Sequence, residues 1–195
     1  MFSATQRLQN VFGHFTSVFL MLAAAIMLLS YTHWWLEDIW ELPMSVRSVE
    51  PKILMKYSRR FGGSNNQGKE NCKLKVDFDG DLTPLFNWNT KQLFVYLTAE
   101  YDGDRPDISN KVIFWDQIIT DKKDAVLDYH NLASLYSVYD TTNSFNQRNA
   151  TIRLEWNIQP YVGWLIYGET VIDGIKTINF PAVEGAKKRK TRSKK

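Results

Sequence analysis

Lys73-Leu74-Lys75-Val76-Asp77-Phe78-Asp79 alternates charged and apolar residues without a break. Side chains of a strand point to opposite faces in turn, so this spacing predicts Leu74, Val76 and Phe78 facing a core and the charges facing water. Half-buried strands of this kind belong to antiparallel sheets. The same period of two continues on both sides. Upstream, Met44, Val46 and Ser48 alternate with Ser45, Arg47 and Val49, and Ile53-Leu54-Met55-Lys56-Tyr57 follows Pro51. That reads as one long interrupted strand or two short ones. Residues 59–71, polar and holding Gly62, Gly63 and Gly68, read as a mobile loop.

Downstream, residues 92–101 are apolar on both faces: Leu93, Val95, Leu97 and Ala99 line one, Phe94 and Tyr96 the other. A strand of that composition is expected to be central. Lys111-Val112-Ile113-Phe114-Trp115 with Ile118 and Ile119 predicts another, after a polar turn with Gly103 and Pro106. Residues 124–148 allow a short helix through Leu132, Leu135 and Tyr136, or a strand over 125–129. Ile152, Leu154, Trp156 and Ile158 restore the alternation over 151–159. Residues 169–172 and 175–180 flank Asp173-Gly174, a pair suited to a type I′ hairpin turn. Seven or eight antiparallel strands are expected, and a β-sandwich over residues 43–183 buries their apolar faces.

Ahead of this all-β domain lies a stretch of another kind. Between Arg7 and Glu37 there is no Asp, Glu, Lys or Arg. A helix over residues 11–31 would reach ~31 Å at ~1.5 Å per residue, about the hydrocarbon thickness of a bilayer. A buried soluble helix would hardly stand alone before a strand-rich body. A cleaved signal peptide needs small residues just past the apolar run, and the chain offers Ser30, Tyr31, Thr32, His33, Trp34 and Trp35 instead. Tyr31, Trp34, Trp35 and Trp40 fit an aromatic belt at the membrane surface, within an interfacial segment 32–42. An uncleaved transmembrane anchor, with the lipid bilayer as its partner, is the expectation. Arg7 on one flank, against Glu37, Asp38 and Glu41 on the other, places residues 1–10 in the cytosol and the domain in the lumen.

The net charge of +3 divides unevenly. Seven of the 24 basic residues fall between Lys187 and Lys195, which leaves 17 against 21 acidic residues, a net of −4, before Lys187. The domain is mildly acidic, which argues against nucleic acid as its ligand. The block at 184–195 reads as a solvated, disordered basic tail. Cys72, the one cysteine, cannot form a disulfide within the chain and reads as structurally bland at a strand start.

Chemistry is hard to place. His14 and His33 lie in or beside the apolar segment, so His130 is the one histidine of the domain, and a zinc site of usual composition is excluded. Asp77 and Asp79 fall on the water-facing side of their strand, and Asp102-Gly103-Asp104 is an ordinary turn; neither pair argues for a metal-dependent glycosyltransferase. No catalytic, cofactor-binding or metal residue is assigned. Asn149-Ala150-Thr151 is a glycosylation acceptor just before a strand. Trp88, Trp115 and Trp156 read as core residues or as partner anchors; Trp88, in a loop, is the best candidate for a partner contact. Asn87 and Asn89 read as turn-formers rather than contacts.

Three ordered stretches carry a resemblance: Asp81-Leu82-Thr83-Pro84-Leu85-Phe86-Asn87-Trp88-Asn89 running on to Tyr101, residues 110–119 around Trp115-Asp116, and Arg148-Asn149-Ala150-Thr151 through Trp156-Asn157-Ile158, Pro160 and Gly163. Over residues 1–183 the chain resembles the subunit 3 family of the eukaryotic signal peptidase complex. The resemblance implies an endoplasmic-reticulum membrane protein with a luminal β-sandwich and no catalytic role. It also implies assembly with a separate serine protease subunit, which removes signal peptides, and with smaller accessory membrane subunits. The loop at 59–71 is longer than that family usually carries, and the tail after Val183 has no counterpart in it. From another class, a free-standing luminal module stacking glycans on exposed aromatics would suit the same composition.

Overall fold

In a computed structural model, residues 3–63, 67–103, 105, 107–142, 144–145 and 147–183 are described. The basic tail expected at 184–195 lies outside the described residues, as do parts of the glycine-rich loop.

Residues 73–79 lie within β2 (Lys69–Asp81), with Leu74, Val76 and Phe78 buried as the alternation requires. β2 pairs antiparallel with β1 (Pro43–Lys56) along nearly its whole length, and on its other side with β5 (Val126–Ala133). One long strand therefore spans residues 43–56, and Pro51 does not divide it. The strand reading of 125–129 is the right one; the short helix through Leu132 and Tyr136 does not form. The second sheet is built on β3 (Thr90–Asp102), flanked by β4 (Ser109–Ile119) and β6 (Asn149–Pro160). β3 is central, as its two apolar faces predicted. Leu93, Val95, Leu97 and Ala99 meet Ile152, Leu154, Trp156 and Ile158 in the core, whose other wall is Val46, Leu74, Val76 and Phe78. Trp115 and Trp156 are core residues.

The last strands correct the hairpin expected around Asp173-Gly174. β7 (Ile166–Glu169) and β9 (Thr177–Asn179) follow one another along the free edge of β6, whereas β8 (Val171–Gly174) leaves that sheet and pairs in parallel with β1. Two sheets of four and five strands result, nine strands among the described residues. β8 acts as a strap across one open side of the sandwich. The Thr170 N–H donates to the Leu154 carbonyl of one sheet, and the Val171 N–H to the Leu42 carbonyl at the start of the other. Gly174 has φ +98°, and a Cβ there would sit 2.4 Å from the Val46 carbonyl oxygen. The glycine serves this close approach, not a hairpin turn.

The apolar segment forms α1 (Ala4–Leu36), 33 residues or ~50 Å long, capped by Ser3, whose Oγ accepts from the Gln6 N–H. The helix outruns the 11–31 segment at both ends. It is long and apolar enough to cross a membrane, and most of its surface is bare. A left-handed Asp38 (φ 47°) ends it, and a 3₁₀ turn, Ile39–Glu41, leads directly into β1.

Candidate functional site: the junction of helix and sandwich

The short link from α1 to β1 would allow a swivel if nothing else joined the two. Three polar side chains prevent it. Trp34 is 2% exposed and its indole N–H donates to the Leu85 carbonyl at 3.2 Å. Burying such a ring contributes ~1.5–3 kcal/mol, and the buried N–H requires the partner it has. One turn earlier Ser30 is fully buried, and its Oγ accepts from Asn87 Nδ2 at 2.9 Å. Asn87 uses its other atom locally, Oδ1 accepting from the Asn89 N–H at 2.8 Å. The expectation that Asn87 and Asn89 only form turns is thus half right. Each closes the turn before β3 and also reaches out of it.

Asn89 reaches the loop at 161–165 that joins β6 to β7. Its Nδ2 donates to the Val162 carbonyl at 2.8 Å, its Oδ1 accepts from the Val162 N–H at 3.1 Å, and its own carbonyl accepts from the Tyr161 N–H at 2.8 Å. The loop in turn lies against the helix: Gly163 has φ +129°, and a Cβ there would come within 3.2 Å of Met27 Cγ. Ala23, Ile26, Met27, Ser30 and Trp34 form the one stripe of α1 that is not fully exposed, at helical spacing. Between helix and loop lies a cleft of about 350 Å³, walled by Met27, Tyr31, Trp34, Val162 and Trp164.

The aromatic segment therefore divides. Tyr31 and Trp35 are exposed on the helix. Trp34 is corrected: it points inward and belongs to the core. Trp40 is half-exposed, its ring 5.7 Å from that of Trp156, which Gly168 admits from the other side. Trp88 is 58% exposed, at the tip of the turn that Asn87 and Asn89 fix. Reading the sequence alone missed Trp164, which is 78% exposed in a run of seven uncharged residues, 161–167.

Asn149 lies far from the junction. β3 and β6 both run from this end to the other, ~40 Å away for strands of 12 to 13 residues. At the far end Asn149 is exposed, and its Oδ1 accepts from Asn179 Nδ2 at 2.9 Å. Beside it a buried polar cluster closes the domain. Asp140, 3% exposed, accepts from Tyr101 OH at 3.0 Å, from Asn110 and Arg148, and from the Thr142 hydroxyl. Burial pushes the Asp140 carboxyl up, but the hydrogen bonds from Thr142 and Tyr101 outweigh it, so it titrates below its ordinary value. The same burial and the neighbouring carboxylate push Tyr101 well above its ordinary value.

Among the described residues the domain's histidine meets no nucleophile and its cysteine no base. The one serine–lysine approach has Lys56 Nζ donating to Ser137 Oγ at 3.0 Å, with the amine also over the Phe61 ring. His130 is exposed, 3.3 Å from an Asp128 oxygen and beside Arg47, in a solvated group of charges. Cys72 is buried, and burial pushes its thiol up to about 12, an unreactive state. Among the described residues no group of three or more His, Cys, Asp or Glu could hold a metal.

A family model described as "Signal peptidase subunit" matches residues 1–183. The signal peptidase complex subunit 3 of Yarrowia lipolytica is 45% identical over 184 residues, covering 93% of this chain and 98% of that protein. Its counterpart in Saccharomyces cerevisiae is 45% identical over 172 residues, 88% and 93%. The one in Drosophila melanogaster is 44% identical over 115 residues, 58% and 63%. The family match over residues 1–183 takes in the helix, the junction and both sheets, so the chain belongs to the signal peptidase subunit family and is a non-catalytic, accessory subunit of the signal peptidase complex.

Proposed function

We propose that the sandwich holds the serine protease subunit of the complex at the luminal surface of the endoplasmic-reticulum membrane, and that α1 and the sandwich act as one rigid body in doing so. The observation that carries this reading is the junction. Ser30 and Trp34 of the helix are bonded to Asn87 and Leu85 of the domain, so the distance of the domain from the bilayer is set by the fold. Fixing a catalytic partner at a set height can accelerate its reaction greatly without supplying a chemical group. Luminal orientation is supported by Arg7 before the helix and by Glu37, Asp38 and Glu41 after it. Trp88, exposed on a turn that two asparagines hold still, is the residue we assign to protease contact. The bare faces of α1 are left for lipid and for the smaller membrane subunits. Tyr31 and Trp35 would sit at headgroup level. Asn149 would carry a glycan at the end of the domain farthest from the membrane, its Oδ1 bonded and its nitrogen on an exposed strand end.

Purification of the tagged chain from membranes in mild detergent tests the assignment. The serine protease subunit and signal-peptide cleavage are expected to come with it, while the isolated chain is inactive. A chain that emerges alone contradicts the proposal. For Asn149, Asn149→Gln is expected to abolish a glycosidase-sensitive mass shift; an unchanged shift would remove this residue as the acceptor.

A further inference from the structure

We infer that the loop at 161–165, with Ile166 and Tyr167 at the start of β7, is a second membrane contact of this chain, dipping into the lipid surface beside α1 with Trp164 and Leu165 at its tip. The proposal rests on reading α1 as the transmembrane anchor and adds a lipid-binding element to it.

Three observations lead there. The first is depth. Gly163 packs on Met27, four residues or ~6 Å before Tyr31 along the helix. With the hydrocarbon span at 11–31, the loop lies at the level at which the anchor leaves the acyl region. The second is chemistry. Tyr161-Val162-Gly163-Trp164-Leu165-Ile166-Tyr167 has no charge, and Tyr161, Trp164, Leu165 and Tyr167 are all exposed. The exposed rings are not part of the core, and tryptophan and tyrosine are the residues favoured where lipid meets water. The third is the backbone. Irregular backbone at membrane depth is tolerated only where its polar groups are satisfied by protein. Asn89 satisfies the Tyr161 N–H and both polar groups of Val162 at the root of the loop, and Asn157 Nδ2 donates to the Ile166 carbonyl where β7 begins, at 3.3 Å. The tip at 163–165 is therefore placed among the headgroups, where its backbone is hydrated. The amide of Asn89 thus ties the root of the loop without placing a charge there. The open cleft between loop and helix is apolar on both sides and lies at the same depth, where acyl chains fill it.

The test uses full-length chain in phosphatidylcholine vesicles, with an environment-sensitive fluorophore on Trp164→Cys; buried Cys72 does not compete for the label. The expected result is a blue-shifted emission and loss of fluorescence to nitroxides high on the acyl chain, with little loss to aqueous iodide. A label on Leu135→Cys, exposed in the domain away from the helix, should show the reverse. A Trp164 label quenched by iodide like that of Leu135 overturns the proposal. So does a label that, in the assembled complex, is reached by neither quencher, since a protein subunit would then cover the loop. A label on Phe19→Cys separates the two readings. If nitroxides deep in the acyl chains reach Phe19 but only iodide reaches Trp164, the loop proposal alone falls. If only iodide reaches Phe19, the anchor falls with it.

Discussion

The two ends of the sandwich solve one problem with different side chains. At each end an irregular segment must be tied to β3: residues 161–162 near the helix, residues 140–142 at the far end. Near the helix the tie is Asn89, a neutral amide that donates to and accepts from the same residue. At the far end it is Asp140, a buried carboxylate that gathers Tyr101, Asn110, Thr142 and Arg148. A charge-assisted cluster is the stronger tie, but it must keep its charge: the hydrogen bonds gathered on buried Asp140 do this at the far end, whereas the lipid contact proposed for the near end would penalise a charge there. The difference teaches that the polarity of a tie follows the medium outside it as much as the backbone inside.

Breaking the stronger tie should have the largest effect. Asp140→Ala leaves the Tyr101 hydroxyl and Arg148 without their shared acceptor in a buried place, and is expected to lose about 3 kcal/mol or more of unfolding free energy, read from denaturant melts in detergent. Asn89→Ala should cost less, about 1–3 kcal/mol, and locally: amide exchange should quicken in residues 161–167 and little elsewhere. Asn89→Asp sharpens the comparison, because the carboxylate keeps the bond from the Val162 N–H but faces the Val162 carbonyl without a proton to donate. It is expected to lose at least as much as Asn89→Ala. If it matched the wild type, the argument from the medium would fail.

Acid distinguishes the ends next. The Asp140 carboxyl titrates below its unfolded value of ~3.9. Its contribution is therefore complete above that value and is lost as pH falls through the folded one. Asp77, lowered by its bonds from the Asn131 N–H and Ser48, adds to the same acid slope. Asp140→Asn should flatten the loss of stability below about pH 4 and leave the Asp77 part. Asn89→Ala should leave the acid slope unchanged. The smallest effect is expected at Trp164: Trp164→Ser, at an exposed loop tip, should change stability in detergent by less than about 0.5 kcal/mol.

Much of this was legible in the sequence because period-two alternation survives where one face of a strand is wet. β6 could be read almost to its ends and β2 over 73–79, although residues 69–71, polar enough to read as loop, open that strand, and β3 was recognisable as central from its two apolar faces. β8 was not. Asp173-Gly174 has the composition of a hairpin turn, and only the tertiary approach to Val46 shows that the glycine serves a strap between sheets. Trp34 was misplaced for a related reason. Aromatics beside an apolar segment suit a membrane belt and a packed junction equally, and what decides between them is the helical stripe shared with Met27 and Ser30. That stripe was present as spacing, but its partner lay some fifty residues away. Asn89 and Val162 are 73 residues apart, so a bidentate amide tie between them leaves no local signal. Trp164 could have been noticed: an uncharged, aromatic run following Pro160 has no alternation to bury it.

The rigid junction is the claim on which the functional account rests. Its most direct test is signal-peptide cleavage by complex reconstituted in vesicles with the double variant Asn87→Ala, Asn89→Ala, after confirming that the protease subunit still co-purifies. The account predicts intact subunit composition with slower cleavage or a shifted cleavage position, because the domain remains tethered but its height is no longer set. Cleavage at wild-type rate and position by an intact complex would contradict it.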